Sequence, residues 1–476
     1  MKILLINPPS INMIETNNAS FVEEESGFYP PLGLLYIVSY LKKYSNFEVK
    51  VLDAQVEALN YQQINEQVKL YSPDLVGIHT STFLLLDVLK VAHNIKGIDP
   101  RIHVNLGGPH VYIFPEQTIK FKPVDSLIIG EGEKTFTELA NALNSKKSLE
   151  HIQGLVYKRQ GQVYFNRAQE YIEDLDGLPF PSRISSPYLK YTSLLSANRV
   201  MTTFISSRGC PFKCIYCDRP HLGKKYRWRS ADNIIQEIKE CLALGIKEIV
   251  FFDDIFTMNR KRVLDICERI IKEEIKFRWS IRARVDTVDA EILGKLKKAG
   301  CERISFGVES GAQKVLDKLR KGITLEQARQ AFKLCKDTGV STLADFMIGS
   351  PGENVDDIER TIDFALELDP DYVQFTITTP YPATELYRVG LESGILKEDY
   401  WKAFANEPSP DFSPRYWEEN ISRAGLIELR KKAYRKFYLR PKYVFNSLLK
   451  LNSVGEFHKK AKAAFKLFSH SYLRLK

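Results

Sequence analysis

Short apolar runs alternate with helical spacings along the first 150 residues of the chain. Ile3–Ile6, Glu48–Leu52, Asp74–His79, His103–Leu106 and Ser126–Ile129 read as buried parallel strands. Between them, Gly33–Lys43, Tyr61–Tyr71, Phe83–Ile95 and Glu133–Leu143 repeat apolar positions at helical spacing. The alternation predicts an open, doubly wound α/β sheet with right-handed crossovers. Gly154–Asn166 reads as a hairpin turning near Gln160-Gly161, and Asp174–Ser182 as a Pro/Gly-rich linker. A second βα series follows, with strands at Thr203–Ser206, Ile246–Phe252, Arg278–Ala283, Arg303–Val308, Thr342–Ile348 and Tyr372–Thr376. Gly245, Gly300 and Gly339 end the helices before three of these strands. Six βα units predict an open, partial barrel rather than a closed one of eight.

Composition adds little: 476 residues, 44% hydrophobic and 27% charged, are enough for two or three ordinary globular domains and exclude a disordered or collagen-like chain. Charge changes the picture more. The stretch 421–476 holds 15 Lys/Arg against 2 Asp/Glu, whereas residues 1–420 sum to −4. That basic, aromatic, helical stretch has three open readings: a cap on the barrel, attachment to an anionic membrane, or nucleic-acid binding, for which basic charge alone is a weak argument. No run is long enough to span a bilayer and no signal-peptide core is seen, so the expected location is the cytoplasm, with peripheral membrane contact left to the tail.

The cysteines carry the chemistry. There are seven, none before Cys210, and an odd count without a signal peptide argues against a disulfide framework. Cys241, Cys267 and Cys335 fall in helical patterns and Cys301 just precedes a strand, which reads as core packing. Cys210, Cys214 and Cys217 instead form a C-x3-C-x2-C loop directly after the first barrel strand. Three thiolates so close can hold iron or zinc, and structural zinc wants four ligands.

This loop resembles the signature of the radical S-adenosylmethionine (SAM) enzymes. The resemblance implies a [4Fe-4S] cluster on the three cysteines, whose open iron chelates SAM and whose electron splits it to a 5′-deoxyadenosyl radical. It further implies SAM contacts at Tyr216, beside the last cysteine, and at three strand ends: Asp253 and Asp254, Glu309 and Ser310, and Gly349 and Gly352. Arg282 and Arg284 flank a fourth strand end, as partners of the SAM carboxylate or of a nearby acid. Asp253 and Asp254 could equally cap the next helix, and the glycines could simply make a turn.

Residues 1 to about 390 together resemble the cobalamin-binding radical SAM proteins, which include methyltransferases and the anaerobic magnesium-protoporphyrin cyclase. The matching pieces are Asn7-Pro8-Pro9, Tyr29-Pro30-Pro31-Leu32-Gly33, Gly107-Gly108-Pro109-His110, Gly130-Glu131-Gly132-Glu133, Phe251–Phe256, Gly307–Gly311, Gly349–Glu353 and Pro380–Glu385. No D-x-H-x-x-G string occurs, so no protein histidine is expected on cobalt. Ligands of doubly wound sheets bind beyond the strand ends, which makes Pro8, Thr80, Ser81, Gly107, Gly108, His110, Gly130 and Glu131 the expected corrin contacts. His79 lies at the same edge, and Glu131 and Glu133 could instead cap the following helix. The division read from this is a cobalamin-binding Rossmann-like domain at 1–150, a hairpin and linker at 151–195, a radical SAM partial barrel at 196–390 and a basic helical region at 391–476.

The function expected from the resemblance is a cobalamin-dependent radical SAM enzyme, with methylation of an unactivated carbon as the leading reaction. Oxidative cyclisation and a non-enzymatic carrier of cobalamin or cluster are the alternatives. A tRNA methylthiotransferase is disfavoured, because those enzymes need further cysteines in the first domain. The implied partners are a small-molecule or lipid-like substrate and a flavodoxin- or ferredoxin-type reductant.

Overall fold

The computed structural model describes residues 1–15, 27–192, 199–218 and 223–449. In the first sheet, strands β1 (Lys2–Asn7), β2 (Glu48–Asp53), β3 (Leu75–His79), β4 (His103–Gly107) and β5 (Ser126–Ile128) run parallel in the order β2-β1-β3-β4-β5. Their side chains alternate between two cores. Ile3, Leu5 and Leu75 pack under helices 32–44 and 132–144, while Leu4, Ile6, Val76 and Ile78 pack under helices 61–71 and 85–98. Both faces are thus covered, as continuous apolar strands require.

The hairpin forms where it is expected, with Gln160 and Gly161 at φ of +51° and +79° between β6 (Leu155–Arg159) and β7 (Gln162–Phe165). It does not stand apart from the first sheet, however. β6 pairs antiparallel with β5 and extends that sheet to seven strands.

The second sheet holds six parallel strands in consecutive order: β8 (Met201–Phe204), β11 (Glu248–Phe251), β12 (Arg278–Ala283), β13 (Cys301–Glu309), β14 (Ser341–Ile348) and β15 (Tyr372–Ile377). β8 and β15 do not pair, so the barrel is open. Ile304, Phe306 and Val308 alternate with partly open Ser305 and Gly307, which places the former under the helices and the latter on the inner face. A separate antiparallel pair, β9 (Ser207–Arg208) with β10 (Arg227–Trp228), brackets the cysteine loop.

The open edge of β15 is covered by helix 423–438. Leu426, Ala433, Tyr434 and Phe437 are buried against it, and the tyrosine hydroxyls bond the strand's backbone. Lys432, Lys436, Arg440 and Lys442 pair with Glu359, Asp363 and Asp369 along helix 355–368 and its C-terminal end. The described part of the basic stretch is therefore a barrel cap; 450–476 lies outside the described residues. Among the described residues no helix is long and apolar enough to cross a membrane.

Candidate functional site

The cysteine loop is held at its root by a buried carboxylate. Asp253, beyond the end of β11, accepts the Ser206 amide at 2.7 Å and the Ser206 and Ser207 hydroxyls at 2.6 Å each. Arg262 reaches the Ser206 carbonyl at 3.1 Å and its hydroxyl. Asp253 is fully buried, and this places it as an anchor of the loop. It does not cap helix 260–272, whose N-cap is Asn259. Gly209 follows at φ +86°, where a Cβ would stand 2.3 Å from the Lys225 carbonyl oxygen. Phe212, inside the loop, lies under the Arg284 guanidinium at 3.6 Å. Arg284 itself pairs with Asp286 through two contacts of 2.9 Å, the salt bridge weighed for it above.

Cys210 and Cys214 are buried and Cys217 is exposed, none of them in a disulfide. Among the described residues no three His, Cys, Asp or Glu side chains converge on a single ion. Three thiols on one loop fall one short of the four ligands that structural zinc takes and match the three that leave one iron of a cluster open. The other four cysteines are core residues, and burial pushes the Cys241, Cys267 and Cys335 thiols up to about 12.

Tyr216 and Glu309 meet inside the barrel. The Tyr216 hydroxyl donates to Glu309 Oε1 at 2.9 Å, and Lys321 Nζ donates to the same oxygen at 2.8 Å. Burial first, and then the carboxylate, hold the Tyr216 hydroxyl well above its ordinary pKa. Glu309 sits at φ +71° beside an irregularity in the β13–β14 ladder. A Cβ on Gly307 would be 2.4 Å from Oε1, so the glycine makes room for the carboxylate. Arg282 lies over Phe252 at 4.6 Å. Asp345, on the inner face of β14, is raised to about 7 by burial and by Glu309.

Ser310, Gly349 and Gly352 each lie close against protein, and Asp254 is exposed. Ser310 is fully buried, with its hydroxyl 3.1 Å from both the Thr361 hydroxyl and the Ala312 amide. A Cβ on Gly349 would meet Leu426 at 2.7 Å, and one on Gly352 would overlap Lys318 Nζ.

A cavity of about 380 Å³ opens where the strand order of the first sheet reverses, between the ends of β1 and β3. Asn7, Gln55, His79, Leu84 and the Tyr29–Leu34 segment line one side; Thr203, Ile205 and Phe252 of the barrel line the other. The rings of Tyr29 and Phe252 touch across it at 5.0 Å. Gly33 on its wall and Gly107 at the strand ends would each place a Cβ in open space. Mostly apolar walls with a few polar groups are the make-up of a ligand pocket, and about 380 Å³ is room for a small molecule or for one edge of a macrocycle.

Of the expected corrin contacts, Ser81, Gly107 and Gly108 are partly open at the strand ends and Gly130 is exposed. Pro8 is buried, with its carbonyl accepting Gln55 Nε2 at 3.0 Å. The Thr80 hydroxyl bonds the Ile78 carbonyl. Gly108 lies against the Thr80 carbonyl, where a Cβ would be 2.8 Å away, and a Cβ on Gly130 would meet Gln169 at 2.8 Å. His110 is fully buried, and burial lowers it to about 3. Its Nδ1 lies 3.1 Å from the Thr82 hydroxyl and its Nε2 has no partner among the described residues.

Glu131 makes no capping bond to the helix that follows. It and Glu133 bind arginines that sequence reading missed. Arg183, Arg208, Arg227, Arg229 and Arg262 are all buried around the base of the cysteine loop. Glu237 bridges Arg183, at 2.6 Å, and Arg229. Local sequence carries no signal for these pairs, because each partner lies on a different element.

An open parallel barrel with a cysteine loop at one strand end, sharing a cavity with the switch point of a second sheet, is the architecture of an α/β enzyme whose ligands sit at strand ends. Residues 204–365 match the family model described as the radical SAM superfamily, and residues 22–140 match the B12 binding domain. An uncharacterized methyltransferase of Pyrococcus horikoshii is 37% identical, across 94% of this chain and 95% of that one. The anaerobic magnesium-protoporphyrin IX monomethyl ester cyclase of Rubrivivax gelatinosus is 29% identical, across 92% and 78%. The cobalamin-dependent SAM radical enzyme OxsB, solved with aqua-cobalamin and SAM, shares the fold with a TM-score of 0.74 at 19% identity, across 99% of this chain and 72% of that one. The chain belongs to the cobalamin-binding radical SAM enzymes, whose cofactors are a [4Fe-4S] cluster, SAM and cobalamin.

Proposed function

We propose that the protein is a cobalamin-dependent radical SAM methyltransferase that methylates an unactivated carbon of a small-molecule or lipid-like substrate. The observation that carries this reading is the cavity walled jointly by Asn7, Gln55 and His79 of the first sheet and by Thr203, Ile205 and Phe252 of the barrel. Bound on its two sides, the three cofactors would supply a carbon-centred radical and a transferable methyl group.

Cys210, Cys214 and Cys217 hold the cluster in this proposal. Glu309 binds the ribose hydroxyls of SAM through Oε2, which has no hydrogen-bond partner among the described residues, while Tyr216 and Lys321 fix Oε1. Tyr29 and Phe252 exclude water from the shared space, where a radical would otherwise be quenched. Asp253 anchors the loop and does not touch SAM. A flavodoxin- or ferredoxin-type protein supplies the electron. Residues 450–476, beyond the cap, serve peripheral membrane contact if the substrate is a lipid, and flotation with liposomes, with and without them, tests that part.

The test is anaerobic reconstitution with iron, sulfide and cobalamin, followed by SAM and reductant. Formation of 5′-deoxyadenosine together with S-adenosylhomocysteine is expected. The first product alone favours cyclisation, and neither favours a carrier. Undiminished iron in the C210A/C214A/C217A variant would overturn the cluster assignment.

A further inference from the structure

The densest buried ion-pair contact between the first sheet and the cysteine loop centres on Glu131, just beyond β5. Its Oε1 accepts from Arg208 Nη1 at 2.7 Å and from Arg227 Nη1 at 3.0 Å. Its Oε2 accepts from the Ile172 amide at 2.6 Å and from Arg227 Nη1 at 3.0 Å. Glu133 Oε1 takes the second arm of Arg208 at 2.5 Å. All four side chains are more than nine-tenths buried.

Arg208 and Arg227 are direct partners across the β9–β10 pair, the two strands from which the cysteine loop departs and to which it returns. Arg208 is two residues from Cys210. The loop therefore rests, through two carboxylates, on the sheet at the cobalamin side. Neither carboxylate lines the cavity, and every oxygen of Glu131 is occupied by protein.

We propose that Glu131 and Glu133 are positioning residues for the cysteine loop, setting its placement and its charge environment from the first sheet, and are not corrin contacts. The proposal rests on the reading that the three cysteines hold the cluster. A buried guanidinium keeps its place only with its counter-charge. Neutralising a carboxylate leaves an uncompensated positive charge two residues from a ligand, which favours the more negative, reduced cluster and raises its potential.

The experiment compares wild type with Glu131→Gln and Glu133→Gln after anaerobic reconstitution, reading iron content, bound cobalamin, cluster midpoint potential and the paramagnetic resonance spectrum of the reduced cluster with and without SAM. Both variants are expected to keep cobalamin at the wild-type level, to shift the potential upward and to alter the SAM-induced spectral change, E131Q more than E133Q. Glu131→Asp, which restores the charge, should return the potential toward wild type. Loss of cobalamin at an unchanged potential overturns the proposal in favour of corrin contact, and no change in potential or spectrum overturns it as well. If E131Q is not recovered folded, E133Q carries the test alone, since it removes a single contact. A wild-type protein that binds no cluster would refute the functional reading instead, so the two failures are distinct.

Discussion

The hydroxyl of Tyr434 sits between the amide and the carbonyl of Phe375, accepting from one at 3.1 Å and donating to the other at 3.3 Å. One helical turn on, Tyr438 does the same for Val373, at 3.1 Å and 2.9 Å. The rise between i and i+4 on the helix matches the step between i and i+2 on β15, so two side chains replace a missing seventh strand. Tyr434→Phe leaves a buried amide and carbonyl unpaired and should cost about 1–3 kcal/mol. Thermal melting checks the value, and a Y434F protein as stable as wild type would contradict the role.

Glu309→Gln removes the charge offered to a hydroxylated ligand while keeping the shape. If it binds SAM as proposed, affinity for SAM should fall about tenfold to a hundredfold, the worth of a hydrogen bond to a charged group. Tyr216→Phe keeps the carboxylate and loses one orienting bond, so its effect should be smaller in the same direction. Equilibrium binding of SAM to the reconstituted protein reads both.

Glu353 links stability to pH. Burial raises its carboxyl to about 7, against backbone bonds from Ser350 and Gly349 that lower it, and Oε1 is buried without a partner among the described residues. A folded-state pKa above the unfolded value means the folded protein holds the extra proton. The associated stability is present below about 4.5 and is lost as pH rises toward 7. Glu353→Gln mimics the protonated form. It should match wild type near pH 4.5 and exceed it by up to about 3 kcal/mol above pH 7. Melting curves across that range decide it, and parallel curves would dismiss the linkage.

Gly349 stands at φ +75° against Leu426 of the capping helix. Gly349→Ala should cost about 1–3 kcal/mol from backbone strain, and the overlap with Leu426 adds to it. Loosening of helix 423–438 should appear as faster proteolysis of that segment before global unfolding.

Strands and helices were legible because buried parallel strands are continuous apolar runs and their helices keep a clean period. The starts differ by only a few residues, as for Arg303–Val308, which extends to Cys301–Glu309. The cysteine loop was legible because its residues are contiguous. Glu131 reads as a corrin contact because it lies at a strand end; its arginines are 77 and 96 positions away, and no local pattern records such pairings. Asp253 shows the same limit: its strand-end position is legible, while its partners Ser206 and Ser207 lie 47 and 46 positions back in the chain. The tyrosine stripe of 423–438 was visible as helical spacing, but the use of its hydroxyls depends on a strand left without a neighbour.

The Tyr29–Leu34 segment both begins helix 32–44 and walls the cavity, and it belongs to neither ladder of strands. Lengthening or reshaping this one stretch would alter what the chamber admits without disturbing a single inter-strand bond, which gives the architecture a way to change its substrate while keeping its chemistry.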